Sequence, residues 1–449
     1  MVAGAGPPQP HRPVRPGPRR GERAGVGQPF PLLTISRWSG PRAACYGACD
    51  LATASRRGRS GVLPYLVTFA VAAVLSLGLT PAVRLRAGAG SYRRQGERER
   101  GAEKPRIGGL VIFSAFAVTP FVAALLTPSV GNFVLPKGRE IGGLVATAFI
   151  IFLFGYIDDV RELGWAAKSA AQLAAGVILY ALGYRLGDVS LPGGNTLAFG
   201  AFDLPATVAW LWLVTNAVNL LDGHDGVAAG ITALTAATLA WIAWDLDHAL
   251  VAILFASLAG AVSGFLPFNF PAASRFLGDS GAQLLGFLLG ALSISGFVDE
   301  TGRVPLYIPA VALMVPLLDI TLAFTRRLLN GRHPFHADLD HIHHRIERML
   351  GYGPRRLALS LYAFSALFAA AAVALHLLRG TVWVWLVALT VAVLVLAFIA
   401  RLRYHETLLT SLTAQRIRGR LMRSTGAHPS AAGTGGDRDE AATRTPRQP

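Results

Sequence analysis

Long apolar blocks recur along this sequence, and they restrict its fold more than any other feature. The residues are 52% hydrophobic and only 15% charged. A helix that crosses a bilayer needs about 20 mostly apolar residues, and about eleven blocks of this length can be counted. They begin near Val62, Ile107, Ile141, Trp165, Leu204, Gly226, His248, Ala282, Val304, Leu357 and Thr381. The sequence therefore predicts an all-α polytopic membrane protein with about eleven transmembrane helices.

The positive charge of the chain lies in loops and tails rather than within the apolar blocks. The formal net charge is +16, and the two most basic loops run from 84 to 106 and from 326 to 356. Basic loops beside membrane helices are typical of the cytoplasmic face, so both are predicted to be cytoplasmic. Alternating helices then put the loops near 158–164, 216–226 and 267–281 on the same face. Topology accounts for the charge, and no nucleic-acid partner is predicted.

The two ends of the chain differ from its centre in composition. Residues 1–61 are rich in Pro, Gly and Arg and are predicted to be a disordered tail. Since the helix count places this basic tail on the outer face, an artefactual extension is the competing interpretation. Residues 62–405 form the predicted transmembrane domain, and 406–449 a cytoplasmic basic segment followed by a low-complexity tail. Residues 185–203, with Pro-Gly-Gly at their centre, predict a small periplasmic β-hairpin.

Polar clusters at the predicted cytoplasmic face are the candidates for chemistry, because ionisable groups at membrane depth usually face a cavity, pair with each other or act on a ligand. In "GYIDDVRELG", Asp158 and Asp159 point about 100° apart on a helix, so one could bind metal while the other accepts a proton. A solvated carboxylate pair at a helix end is the alternative. In "TNAVNLLDGHDGVAAG", Asn216 and Asn219 are three residues apart, as are Asp222 and Asp225.

The side chains of the second cluster suit a divalent cation. Carboxylate and amide oxygens are ligands for Mg²⁺ or Mn²⁺, and Mg²⁺ commonly binds one or two carboxylates together with phosphate oxygens. Asp279, in "FLGDSGAQ", precedes an apolar helix and could cap it or bind metal near its N-terminus. His341, His343 and His344, in "HADLDHIHHR", could contact phosphate, which we favour over zinc because the other clusters offer oxygen ligands.

Several further polar residues have weaker signals. Lys104 and Arg106, in "EKPRIGG", precede two glycines at a helix start and suit an anionic ligand. Lys168 lies one turn before Gln172 near a membrane edge, where a lysine ordinarily extends its ammonium group toward water. Asp319 is an intramembrane carboxylate about two turns before Arg326. Carboxylates for a metal, flanked by cations for phosphate, are the groups that phosphoryl transfer uses.

The motifs "KPRIGG", "GYIDDV", "NAVNLLDGHDGVAAG", "FLGDSGA" and "HADLDHIHHR" together resemble the polyprenyl-phosphate N-acetylhexosamine-1-phosphate transferase family over about residues 62–405. The resemblance implies transfer of a sugar 1-phosphate from a UDP-sugar to undecaprenyl phosphate, with release of UMP. It implies a Mg²⁺ requirement, with Mn²⁺ as an option. It also implies a multi-pass protein of the bacterial inner membrane whose site faces the cytoplasm, with a homodimer as a further option.

The resemblance also assigns roles to particular residues. It implies catalytic roles for the carboxylates and histidines Asp158, Asp159, Asp222, Asp225, His341, His343 and His344. It implies metal binding by Asn219 and Asp279 and places Asn269 near the uridine. We also predict substrate binding by Lys104, Arg106 and Asn216. The resemblance does not decide which of Asp158 and Asp159 acts as the base.

The histidine run "DHIHH" resembles the WecA and TagO branch of this family, whose donor is usually UDP-N-acetylglucosamine. The phospho-N-acetylmuramoyl-pentapeptide transferase branch is the alternative enzyme. A CDP-alcohol phosphotransferase is disfavoured because Gly230 stands where that signature has Arg. An ion-coupled transporter is the alternative from another class, and it predicts inverted repeats and broken helices near the midplane.

Overall fold

Apolar blocks become helices along the part of the chain that the computed structural model describes, which comprises residue 4 and residues 61–83, 105–161, 163–295, 303–329, 345–347 and 351–401. Most of the predicted tail 1–61 and all of 406–449 lie outside these residues. The helices of the first half are α1 Leu63–Ala82, α2 Gly108–Leu126, α3 Pro128–Val134, α4 Gly138–Arg161, α5 Trp165–Ala181 and α6 Asp203–Leu221. Those of the second half are α7 Val227–Asp245, α8 Ala249–Asn269, α9 Gly278–Ser295, α10 Tyr307–Ala312, α11 Met314–Leu329, α12 Pro354–Leu377 and α13 Trp383–Arg401.

The prediction of an all-α polytopic membrane protein is confirmed, whereas the count of eleven crossings is only partly supported. Within the described ranges, eight helices are long and apolar enough to cross a membrane. They are α1, α2, α4 with the preceding α3, α6, α7, α8, α12 and α13. The other predicted blocks form α5, which has 17 residues, α9, and the pair α10 and α11, which divides one block in two. Helices α5, α10 and α11 are shorter than the 18 residues that a candidate span needs, and α9 contains polar residues that lower its hydropathy.

A small β-hairpin forms within the predicted segment 185–203. Strand β1, Val189–Ser190, pairs antiparallel with β2, Thr196–Leu197. The turn contains Gly193 and Gly194, whose φ angles of 91° and 89° are readily adopted only by glycine. A carbon added at Gly193 would lie 2.7 Å from a ring atom of Trp385, so the turn packs against α13.

Helix α9 lies at the centre of the bundle, and its position determines where the polar clusters meet. Its residues 280–294 are all buried, mainly against α4, α6 and α2. Two glycines allow the backbones to approach closely. A Cβ atom on Gly155 of α4 would lie 2.5 Å from Ser280 Cα, and one on Gly286 would lie 2.6 Å from Thr215 Cα of α6. The last turn of α4 is therefore held against the first turn of α9.

The periphery of the bundle is apolar, as a bilayer requires. Helix α13 buries few side chains, among them Val384 and Val391, and it exposes Trp385, Leu389 and Leu396. A helix that is hydrophobic all round and exposes large aliphatic side chains fits a lipid environment.

Candidate active site

The helix ends that carry the predicted motifs meet at one end of the bundle. Asp158 and Asp159 end α4, Lys168 lies in the first turn of α5, Asp222 follows α6, and Asp279 begins α9. Arg106 lies two residues before α2 and forms a β-bridge with Phe276, which lies two residues before α9. Among the described residues, these helix ends therefore lie at one end of the bundle, whereas the histidine motif lies outside the described part of the chain.

Asp159 holds the N-terminus of α9 with both of its oxygens. Its Oδ1 accepts the backbone N–H of Asp279 at 2.9 Å, and its Oδ2 accepts that of Ser280 at 3.0 Å. Gly278 makes room for this carboxylate, because a Cβ there would lie 2.7 Å from Asp159 Oδ2. Arg106 Nη1 lies 3.5 Å from Asp159 Oδ1 and compensates its charge. This buried carboxylate caps a helix whose N-terminus favours negative charge.

Asp158 points to a different set of partners. Its Oδ1 accepts the backbone N–H of Leu163 at 2.7 Å, and its Oδ2 forms an ion pair with Lys168 Nζ. The same ammonium nitrogen lies 3.7 Å from Asp279 Oδ2. Lys168 thus places one positive charge between two carboxylates, and the side chain of Asp279 is 31% exposed.

Sequence reasoning underestimated Lys168. The sequence suggested an ordinary lysine at the membrane edge, whereas the structure directs its ammonium group into the carboxylate cluster. The available signal was the polar pair that it forms with Gln172 one turn later on an otherwise apolar helix. Two long polar side chains on one helical face indicate a polar neighbour inside the bundle.

The loop after α6 is tied to the loop before α9. Asp225 Oδ2 accepts the backbone N–H of Ala273 at 3.0 Å. Gly226 has a φ of 76°, and its carbonyl accepts the hydroxyl of Tyr362 on α12 at 2.6 Å. Asp222 caps the end of α6, and its N–H donates to the Asn219 carbonyl at 3.3 Å. These contacts fix the Asp222 to Gly226 segment beside the cluster. No motif in the sequence indicates this role of Tyr362.

The three asparagines have different surroundings. Asn269 is buried, and its Nδ2 donates to the carbonyl of Arg275 at 3.0 Å. The Oδ1 atoms of Asn219 and Asn269 are buried without a hydrogen-bond partner among the described residues, and each could accept from or bind a ligand. Asn216 instead donates to Gln172 Oε1 at 2.6 Å. Its amide is therefore used between helices, which is a different role from the predicted substrate contact.

The glycines of "KPRIGG" bring the chain before α2 against the start of α9. Phe276 N–H donates to Pro105 O at 3.1 Å, and Gly108 N–H donates to Phe276 O at 3.1 Å. A Cβ atom on Gly109 would lie 2.6 Å from Ser280 Oγ. Glycine is thus required for close backbone approach, and the approach holds Arg106 at the site. Lys104 lies outside the described residues.

His341, His343 and His344 also lie outside the described residues. The next described segment, 345–347, contacts the Asp222 to Gly226 segment, since Glu347 Oε2 lies 3.4 Å from His224 Nε2.

Asp319, Arg326 and Arg327 are buried on α11.

Oxygen donors are available for a divalent cation, although the ligand set is not complete within the protein. No group of three or more His, Cys, Asp or Glu residues that could hold a metal ion occurs in the described part of the chain. The oxygens that fit are the partly exposed carboxylate of Asp279 and the unpartnered Asn219 Oδ1. Mg²⁺ commonly binds few protein ligands and completes its coordination with water and substrate phosphates. Asn219 and Asp279 therefore offer ligand atoms of the kind that such an ion takes.

Known proteins share this sequence pattern. The model of glycosyl transferase family 4 matches residues 141–297, which include the ends of α4 and α6 and the start of α9. Decaprenyl-phosphate N-acetylglucosaminephosphotransferase of Mycobacterium tuberculosis is 34% identical over 348 residues, which cover 72% of this chain and 85% of that protein. A probable undecaprenyl-phosphate N-acetylglucosaminyl 1-phosphate transferase of Bacillus subtilis is 29% identical, covering 66% of this chain and 79% of that protein. Phospho-N-acetylmuramoyl-pentapeptide-transferase of Clostridium perfringens is 28% identical, with coverages of 64% and 88%.

Proposed function

Because the chain belongs to glycosyl transferase family 4, the family of polyprenyl-phosphate N-acetylhexosamine-1-phosphate transferases, we propose that it transfers N-acetylglucosamine 1-phosphate from UDP-N-acetylglucosamine to undecaprenyl phosphate. The products are the lipid diphosphate sugar and UMP, and the reaction would initiate the synthesis of a cell-wall or surface polysaccharide. The observation that carries the proposal is the cluster in which Lys168 bridges Asp158 and Asp279 beside the Asp159 cap.

The two adjacent carboxylates divide their roles according to their hydrogen bonds. Both oxygens of Asp159 accept backbone N–H groups of α9, so Asp159 positions Asp279. Asp158 accepts a backbone N–H group with Oδ1 and pairs with the Lys168 side chain through Oδ2, so it is the better candidate to take a proton from the lipid phosphate. An oxygen of that phosphate then attacks the sugar-bound phosphorus of the donor, and the bond to UMP breaks.

Cations stabilise the charge that this transfer develops. Arg106 and Lys168 both lie at the cluster, where they would attract and neutralise phosphate oxygens. Asn219 and Asp279 would hold Mg²⁺, which neutralises phosphate charge when bound. The Asp222 to Gly226 segment and Asn269 would contact the nucleotide sugar, and His341, His343 and His344 would engage its phosphates or sugar.

The orientation in the membrane is part of the proposal. We place α10 and α11 together in one crossing, which with the other predicted blocks gives eleven crossings of the bacterial inner membrane. The cluster then faces the cytoplasm, where nucleotide sugars are available, and the hairpin faces the periplasm. Homodimerisation remains a prediction.

The alternative donor is UDP-N-acetylmuramoyl-pentapeptide, which the Clostridium perfringens relative brings into consideration. N-acetylglucosamine is favoured because the relative with that activity in its name shares 34% identity, against 28% for the muramoyl enzyme. Competition between the two unlabelled donors in one assay distinguishes these substrates.

The test is a direct assay of the purified protein in detergent or lipid. Radiolabelled UDP-N-acetylglucosamine and undecaprenyl phosphate should give labelled lipid, EDTA should abolish it, and added Mg²⁺ should restore it. Formation of labelled lipid only from the pentapeptide donor would reassign the substrate. The absence of labelled lipid with either donor would falsify the transferase proposal.

A further inference from the structure

Each of three helices that form the site carries an amide about one turn deeper in the bundle. On α5, Gln172 follows Lys168 by four residues, and on α9, Gln283 follows Asp279 by four. On α6, Asn216 precedes Asn219 by three. Residues three or four apart lie on the same face of a helix. A layer of amides therefore lies beneath the layer of site residues.

These amides are joined in a line across the three helices. Asn216 Nδ2 donates to Gln172 Oε1 at 2.6 Å and also to the carbonyl of Trp212 at 2.8 Å. Gln172 Nε2 donates to Gln283 Oε1 at 3.1 Å. Gln172 and Gln283 are each only 2% exposed. Gln172 is the central member, because it is the only one of the three that bonds to both others.

The link from α5 to α9 is made by long side chains rather than by close backbone packing. Helix α9 packs closely on α4 and α6, and α5 packs on α4 and α6, but the backbones of α5 and α9 hardly approach each other. The bond between Gln172 and Gln283 and the pair of Lys168 with Asp279 span this gap. The hydrogen bond between the Gln172 and Gln283 side chains therefore limits the distance that the Lys168 side chain has to span.

We propose that Gln172 is a positioning residue, which together with Gln283 and Asn216 sets the separation of α5 and α9 so that Lys168 contacts Asp158 and Asp279. Leucine would fill a similar volume without placing an amide in an apolar interior, so the hydrogen bonds contribute defined geometry rather than burial. The kinetic consequence rests on the proposed function, whereas the helix separation can be measured without it.

The kinetic test is the double variant Gln172→Leu/Gln283→Leu. It removes both side chains of the hydrogen bond, so neither glutamine remains buried with its partner missing. We expect KM for both substrates to stay near the wild-type value while kcat falls roughly 10- to 100-fold, because misplacement by about 1 Å can cost on the order of 100-fold. Gln172→Met, which has a similar shape and no amide, should lower kcat in the same way, and because it leaves Gln283 Oε1 without this donor it should be less stable than the double variant.

The matched control is Ser293→Ala. It removes a buried hydrogen bond between α6 and α9, in which Trp210 Nε1 donates to Ser293 Oγ at 3.0 Å, farther from the site than the bond between α5 and α9. This control should lower thermal stability with little change in kcat. A kcat that is unchanged in both glutamine variants, or lowered no more than in Ser293→Ala, overturns the positioning role.

The second readout is a distance that does not depend on activity. Spin labels at the exposed positions Ala166, on α5, and Ser274, just before α9, report the separation of the two helices after Cys45 and Cys49 are replaced by serine. We expect the distance distribution to shift or broaden in Gln172→Met and to match the wild type in Ser293→Ala. An unchanged distribution in Gln172→Met contradicts the proposal. If Gln172→Met changes the distance distribution but the wild-type protein forms no labelled lipid, the positioning role is supported and the proposed transferase activity is contradicted.

Discussion

Asp159 accepts two backbone N–H groups, and its geometry explains why an amide cannot replace it. An asparagine presents one oxygen and one NH₂ group, so one of the N–H groups of Asp279 and Ser280 would face another donor. The buried N–H group would lose its partner, and the charge beside Arg106 would be lost with it. Replacement of Asp159 by asparagine should therefore displace the start of α9 and the side chain of Asp279.

We predict that Asp159→Asn lowers kcat by about 100-fold or more while the protein still folds, because the first turn of α9 shifts and Asp279 moves with it. Steady-state kinetics and a thermal melt measure the two effects. Glu140→Gln is the control, since Glu140 pairs with Lys137 at the opposite end of α4 and should retain wild-type turnover. Activity near the wild-type level in Asp159→Asn would show that capping of α9 by Asp159 is not required for turnover.

Lys168 provides the second residue-scale test. Lys168→Met keeps most of the apolar stem but removes the charge between Asp158 and Asp279. We expect kcat to fall roughly 100- to 1,000-fold, the range for loss of one electrostatic contact in an active site. Lys168→Arg should recover part of the activity, because it restores the charge with a different shape. Equal turnover of the Met and Arg variants would show that the charge itself has no role.

At the scale of elements, helix contacts depend on glycines whose role the sequence does not reveal. Gly142 and Gly155 both lie on α4, and both are ordinary glycines in an apolar block. A Cβ on Gly142 would have no other atom within 4 Å, whereas one on Gly155 would be 2.5 Å from the backbone of Ser280. The two glycines differ only in how α4 packs on α9, and the periodicity of a single helix does not reveal that packing.

Gly155→Ala should therefore separate α4 from α9. We expect a loss of about 1–3 kcal/mol in the free energy of unfolding, which is typical of overpacking, together with a lower kcat because Asp159 moves relative to Ser280. Gly142→Ala should leave both quantities unchanged or raise stability slightly. Thermal melts and kinetics of the two variants side by side provide the measurement. If the two alanine variants have the same stability, the close contact is refuted.

At the scale of the whole molecule, the sequence predicted most of the architecture and less of the site. Long apolar blocks indicate helices because a bilayer leaves few alternatives, and the block boundaries place Asp158, Asp222 and Asp279 near helix ends. The inward direction of Lys168 and the bonding of Asn216 to Gln172 depend on which helices are neighbours. One chain without its packing does not contain that information. The histidines 341, 343 and 344 lie outside the described residues, so their role stays a prediction.

The proposed orientation can be tested on the intact molecule. With Cys45 and Cys49 replaced by serine, single cysteines at Asn195 in the hairpin turn and at Ser274 beside the site are both exposed. A membrane-impermeant thiol reagent should label the cysteine at 195 in intact cells and the one at 274 only after permeabilisation, because the two positions are predicted to lie on opposite faces. Labelling of both without permeabilisation would contradict the cytoplasmic site.

The polar character of α9 has a consequence for how the protein is made. This helix is buried on all sides yet is not among the eight that are apolar enough to cross a membrane by themselves, because Asp279 and Gln283 lie in its first two turns and lower its hydropathy. Its partners α2, α4 and α6 precede it in the chain, so the ribosome delivers them first. Biosynthesis therefore has to insert α9 against helices that already lie in the bilayer, and the order of helices along the gene serves as an assembly order.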